Sequence, residues 1–105
     1  KEEEKLDFNK SVREVHNHIR GLYPFPTSYT TLNGEIIKIC ESRIGEKKSG
    51  SCGEIVSIYE DGIGVMCSDR EVIISRLKPA GKKEMSARDF INGRGKNKLI
   101  GEILC

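Results

Sequence analysis

Asn33-Gly34 stands between two β-prone runs, Ser28–Leu32 and Glu35–Cys40. Both residue types tolerate positive φ, so the pair closes a tight hairpin whose twist matches its strands. The same grammar recurs downstream. Asp61-Gly62 separates Gly53–Tyr59 from Ile63–Cys67, and Ser68-Asp69-Arg70 turns the chain into Glu71–Leu77. Turn signals at this rhythm fit a small antiparallel barrel or sandwich, and the whole pattern supports a mainly β domain with short helices, a barrel of about five strands. In the second strand Ile37 and Ile39 face one way, Lys38 and Cys40 the other. In the third, Ile55, Ser57 and Tyr59 share one face, and the apolar pair Val56 and Ile58 is assigned to the core side. Gly64 inside a strand marks a bulge or tight bend. Residues 42–51 are polar and Gly-rich and are expected to form a mobile loop bearing Arg43, Lys47 and Lys48. Leu99–Leu104 is expected to be a last strand closing the barrel beside the first.

Ahead of the strands, Val12, Val15, His16 and Ile19 recur at the spacing of one helical face. Asn9 is a candidate first-turn cap, and Ser11 with Glu14 fits a capping box. Gly21 is expected to supply a left-handed stop, and Pro24 forbids continuation. Tyr23-Pro24-Phe25-Pro26 then forms a stiff aromatic corner. Near the other end, Ser86 with Asp89 starts a short helix that Gly93 is expected to end, docked by Met85, Phe90 and Ile91.

Two blocks carry a family resemblance. His16-Asn17-x-Ile19-Arg20-Gly21-Leu22-x-Pro24-x-Pro26, then Tyr29-Thr30, resembles the opening of the methionyl-tRNA formyltransferase C-terminal domain. Leu77-x-Pro79-x-Gly81-Lys82-Lys83-x-Met85-x-Ala87-x-Asp89-Phe90-x-Asn92-Gly93 is similar to its closing segment. The blocks stand in the family's order, and the resemblance covers essentially the whole chain. Phe25 stands where the family usually has Trp, and Thr27 where it usually has Gly. The resemblance implies an OB-like barrel that binds initiator Met-tRNA, following an N-terminal catalytic domain in the same chain. That domain would bind 10-formyltetrahydrofolate as formyl donor. Its catalytic Asn, His and Asp have no counterparts here, so the resemblance implies no catalytic residue and no cofactor in this fragment.

The bulk properties agree with one folded domain. A chain of 105 residues builds one modest core. It opens on Lys, so it is read as a piece of a longer protein, with 1–7 as linker remnant and 8–105 as the barrel. No apolar run reaches membrane-spanning length and no signal-peptide pattern opens it, so a cytoplasmic monomer is expected. The four cysteines at 40, 52, 67 and 105 lack C-x-x-C spacing, which leaves a zinc site without its usual grammar. Cys40 and Cys67 read as small buried hydrophobes. A disulfide framework is compatible with the count, while a reduced cytosolic state is the expectation.

Net charge is +2, yet its distribution is uneven. Residues 1–7 carry two Lys against three Glu and one Asp, whereas 76–98 carry eight cations against Glu84 and Asp89. Such a concentration suits a phosphate backbone, though a merely solvated surface has the same composition. The candidate RNA-binding residues are Lys78, Lys82, Lys83, Arg88, Arg94, Lys47, Lys48 and Arg76. Duplex RNA read by shape fits better than base stacking, because no exposed aromatic row is apparent. His16 and His18 are two apart on a helix and point to different faces, His16 to the helix–sheet seam and His18 to solvent. The competing reading is a protein-interaction or spacer domain without nucleic-acid binding, in which the Tyr23–Phe25 corner and Glu2–Glu4 matter most.

Overall fold

The capping box forms as its residues dictate. In the computed structural model, which describes residues 4–105, the Glu14 N–H donates to Ser11 Oγ and the Ser11 N–H to Glu14 Oε1, both at 3.2 Å. This starts α1 (Val12–Leu22). A second cap comes from afar, since the Val12 N–H donates to Asp69 Oδ1 at 2.8 Å. Asn9 is not a cap; its N–H donates to Asp7 Oδ1. Gly21 does not stop the helix either, because it lies within it. Tyr23, extended before Pro24, ends it. Both Tyr23-Pro24 and Phe25-Pro26 bonds are cis, and Thr27 follows with φ of 74°. Thr27 is held there by its N–H on Leu22 O (2.9 Å) and its hydroxyl on Pro24 O (2.7 Å).

The strands are β1 (Ser28–Leu32), β2 (Glu35–Ile44), β3 (Ile55–Tyr59), β4 (Gly62–Met66), β5 (Glu71–Pro79) and β6 (Met85–Ser86). They pair antiparallel in the order β1-β2-β5-β4-β3, with β6 added to β5. The predicted hairpins at Asn33-Gly34 and Asp61-Gly62 are both present. The last helices are α2 (Ala87–Arg94) and α3 (Lys96–Leu99). Ser86 caps α2 as expected, accepting from the Asp89 N–H, but Gly95 with φ of 92°, not Gly93, ends it.

The sheet is not a closed barrel. The expected last strand is replaced by α3 and a turn in which Gly101 takes φ of 88°. Only single bridges follow, Leu104 to Leu32 and Ile103 to Glu54, so residues 103–104 strap the gap between β1 and β3 without a continuous ladder. Two further expectations are corrected. β2 runs on to Ile44, where Ser42, Arg43 and Ile44 pair with β5 despite their loop-like composition. In β3 the register shifts between Ile55 and Ser57, and this bulge reverses the alternation. Ile55 is therefore fully buried and Val56 only half-buried, while Ile58 still packs against the core.

The core is built from Val15 and Ile19 of α1, Ile37 and Ile39 of β2, and Val65, Ile74, Leu77 and Phe90. Met85 and Ile91 dock α2 beside Phe90, as their spacing predicted. Residues 4–6, assigned to a linker by sequence, run beside β1; the Leu6 N–H donates to Tyr29 O and the Leu6 side chain is buried. The Glu2–Glu3 part of the acidic segment lies outside the described residues. Among the described residues no helix is long and apolar enough to cross a membrane.

Candidate nucleic-acid interface

Register places a lysine that sequence reading missed. Lys38 of β2 lies directly opposite Lys78 of β5, and Tyr29 of β1 continues the same row. Directly opposed residues share a face, and both lysines are exposed. Beyond Lys78 the chain turns, with the Lys82 N–H donating to Pro79 O at 3.0 Å and Gly81 at φ of 74°. β6 then returns along β5, pairing Met85 with Leu77, so exposed Lys82 and Lys83 stay at the same edge. None of these four lysines has an ion-pair partner among the described residues. Like charges placed opposite one another repel, so the row raises the free energy of the bare fold and is relieved by an anion.

The three predicted arginines are committed differently. Arg76 Nε donates to Glu84 Oε2 at 2.8 Å, and the Tyr23 hydroxyl donates to Glu84 Oε1 at 2.9 Å. These hydrogen bonds, Arg76 first and Tyr23 second, hold the Glu84 carboxyl below its ordinary range. Arg88 pairs with Glu60 at 3.1 Å, and its backbone N–H donates to Asp61 Oδ1. Arg94 pairs with Glu35 at 2.8 Å and lies 4.7 Å over the Phe90 ring. Each arginine thus ties two elements of the scaffold together.

Lys47 and Lys48 occupy an exposed loop at the opposite end of β5. Lys78 stands seven positions along the chain from Glu71, which is roughly 23 Å of strand. The foot of that loop is fixed by the wholly buried Glu71. Its Oε2 accepts from the Glu46 N–H at 3.1 Å and from the Tyr59 hydroxyl at 2.5 Å. Backbone bonds Gly45 N–H to Glu71 O and Glu71 N–H to Glu46 O complete the clamp. Gly64 explains itself here as well as through the bulge. A Cβ on it would lie 2.1 Å from Glu71 Oε1, an oxygen without a hydrogen-bond partner among the described residues. Nothing in the local sequence announces this clamp, because it joins three separate stretches.

Between α1 and the sheet lies a surface hollow of about 670 Å³ lined by His16, Arg20, Tyr23, Cys40, Arg76 and Glu84, with Glu41 and Ser42. His16 Nδ1 meets Ser42 Oγ at 2.8 Å, which is the seam position expected of it. Burial chiefly, then Arg20 and Arg13, pulls the His16 pKa down. His18 is half-buried rather than fully solvated. Burial pushes the Cys40 thiol up to about 11, and the Cys67 thiol up to about 12. Both are buried and all four cysteines are free thiols. Beside the hollow the aromatic corner projects, with Phe25 87% exposed.

Comparison with known proteins agrees with this architecture. The family model described as formyl transferase, C-terminal domain matches residues 1–95. Methionyl-tRNA formyltransferase of Fusobacterium nucleatum is 48% identical over 108 aligned residues, covering 100% of this chain and 34% of the relative. The Streptococcus agalactiae protein of that name is 39% identical, covering 96% of this chain and 32% of its own length. That of Bacillus thuringiensis is 44% identical over 89% of this chain and 30% of its own length. The chain therefore spans about a third of the length of these relatives. Among solved structures, HypX from Aquifex aeolicus in complex with tetrahydrofolic acid superposes with a TM-score of 0.73 at 12% identity. That match covers 84% of this chain and 16% of HypX, and it speaks for the fold alone. On the strength of the family match, this chain belongs to the formyl transferase C-terminal domain family.

Proposed function

We propose that this chain is the tRNA-gripping domain of a cytoplasmic methionyl-tRNA formyltransferase. The parent would transfer a formyl group from 10-formyltetrahydrofolate to the methionyl amino group of initiator Met-tRNA. The formyl donor is assigned to the neighbouring catalytic domain, and no residue of this chain is given a role in holding it. Here the chain contributes position, because phosphate contacts orient a nucleic acid while carrying little sequence information. The observation that carries the reading is the exposed set Lys38, Lys78, Lys82 and Lys83 at one end of β2 and β5, without an ion-pair partner among the described residues. Lys47 and Lys48 would reach a second stretch of backbone, and Arg76, Arg88 and Arg94 would mainly brace the surface between. The domain is taken to act as a monomer.

A second reading has its own observation. Phe25 is 87% and Tyr23 42% exposed, which suits a domain that docks a neighbour through its aromatic corner. Salt separates the two. Binding of the chain to labelled initiator tRNA should fall steeply as ionic strength rises if lysines grip phosphates. Absence of binding even at low salt would favour the spacer.

A further inference from the structure

The loop between β2 and β3 is tied down at both ends, and a buried carboxylate holds the end nearer its lysines. Glu71 opens β5 beside Val72, Ile73 and Ile74, and like them it is buried. Two glycines make room for it. A Cβ on Gly45 would come within 2.5 Å of its Cγ and Oε2, and one on Gly64 within 2.1 Å of its Oε1. An apolar side chain would fill this position without the desolvation cost that a carboxyl group carries. What the carboxylate adds is an acceptor for the loop. Its Oε2 accepts from the Glu46 N–H at 3.1 Å and from the Tyr59 hydroxyl at 2.5 Å. Beside it, Arg70 Nη1 donates to Gly45 O at 3.4 Å.

The far end is fixed independently. The Ser51 N–H donates to Glu54 Oε1 at 2.9 Å, and the Glu54 N–H to Ser51 O at 3.0 Å. Gly50 lies against β3, where a Cβ on it would come within 2.7 Å of the Val56 side chain. Between the two attachments stand only Lys47, Lys48, Ser49 and Gly50. Both lysines are exposed, and neither has an ion-pair partner among the described residues. Composition alone predicts a mobile loop here, whose lysines would be ordered only on meeting a ligand. Tying both ends spares the binding step part of that entropy.

We propose that Glu71 is a positioning residue for nucleic-acid binding, presenting Lys47 and Lys48 as a pre-ordered phosphate contact at the end of β5 opposite Lys78. The proposal rests on the reading of this chain as a tRNA-gripping domain. Glu71 touches no phosphate, being buried and of like sign, so it acts through the loop. This separates it from the lysines it serves. Glu71→Leu keeps every cation, so it should weaken tRNA binding about three- to tenfold and leave the slope of log affinity against log salt unchanged. Changing Lys47 and Lys48 to Ala removes the charges themselves, so that slope should become shallower by about two.

The test is titration of initiator tRNA at several ionic strengths with the parent chain and its variants, beside amide exchange followed by NMR. Glu71→Gln keeps an oxygen that accepts from Glu46 and Tyr59, so it should bind as the parent does. In Glu71→Leu the Glu46 amide loses its acceptor and should exchange about tenfold faster or more, while the β1–β2 hairpin stays protected. With Lys47 and Lys48 already changed to Ala, Glu71→Leu should cost no further affinity. Gly45→Ala drives the foot of the loop off a carboxylate left in place, and it should give the same result if Glu71→Leu does not fold. A Glu71→Leu loss that persists without the two lysines, or parent affinity once the Glu46 amide is freed, would overturn the proposal. Parent affinity after loss of Lys47 and Lys48 would also overturn it, while leaving the gripping role of Lys38, Lys78, Lys82 and Lys83 intact. Absence of tRNA binding by the parent chain would overturn that role and this proposal together.

Discussion

Lys38 and Lys78 face each other across β2 and β5, both exposed and without an ion-pair partner among the described residues. Two ammonium groups so placed oppose folding slightly, so their presence is not explained by stability. Lys38→Ala is predicted to leave chemical-denaturation stability unchanged or raise it by up to about 0.5 kcal/mol. A loss above about 1 kcal/mol would show that Lys38 has a structural task.

Arg94 should behave in the opposite way. It pairs with Glu35 of β2, far away in sequence, and lies over Phe90 one turn earlier in α2. Arg94→Ala is predicted to cost about 1 kcal/mol of stability. Its effect on the salt dependence of RNA binding should be small, which titrations at several ionic strengths will show.

Gly64 is a packing partner of a buried carboxylate. A methyl group there meets Glu71 Oε1, and Glu71, wholly buried and clamped through Glu46 and Tyr59, has little freedom to yield. Gly64→Ala should destabilise by about 1–3 kcal/mol. In a Glu71→Ala background the same change should cost less, a coupling that a double-mutant cycle measures. Additive costs would mean that the collision is relieved elsewhere.

Acid should loosen the seam in two stages. The folded state lowers the His16 pKa from 6.5, so His16 contributes stability above that value and loses it as pH falls through the folded pKa. Glu84 is lowered from 4.5, so the Tyr23–Glu84–Arg76 contacts stabilise above that value and fade below it. Stability curves of His16→Gln and Glu84→Gln should approach the parent curve as pH falls progressively below 6.5 and 4.5 respectively.

Local chemistry made much of this fold readable. The capping box, the Asn33-Gly34 and Asp61-Gly62 turns and the Ser86 cap are settled by neighbours in sequence, and each stands where its residues place it. What failed was non-local. The β3 bulge sent Ile55 inward, β5 drew Ser42–Ile44 into a strand, and a short helix and turn replaced the closing strand. The site divides the same way. A charge count finds Lys78, Lys82 and Lys83, but only cross-strand register adds Lys38, and only packing shows Arg76, Arg88 and Arg94 held by carboxylates. Thr27 is a third kind of case. It adopts the positive φ that glycine would take where the family usually has it, held by its hydroxyl on Pro24 O.

The central claim is that the lysine cluster Lys38, Lys78, Lys82 and Lys83 grips a phosphate backbone. The most direct measurement is the slope of log affinity against log salt for initiator tRNA. It should be compared between the parent chain and a variant with Lys38, Lys78, Lys82 and Lys83 changed to Ala. Each lysine removed should lower the slope by about one, so the variant should bind weakly with a slope shallower by about three to four. An unchanged slope, with the variant still folded, would contradict the account.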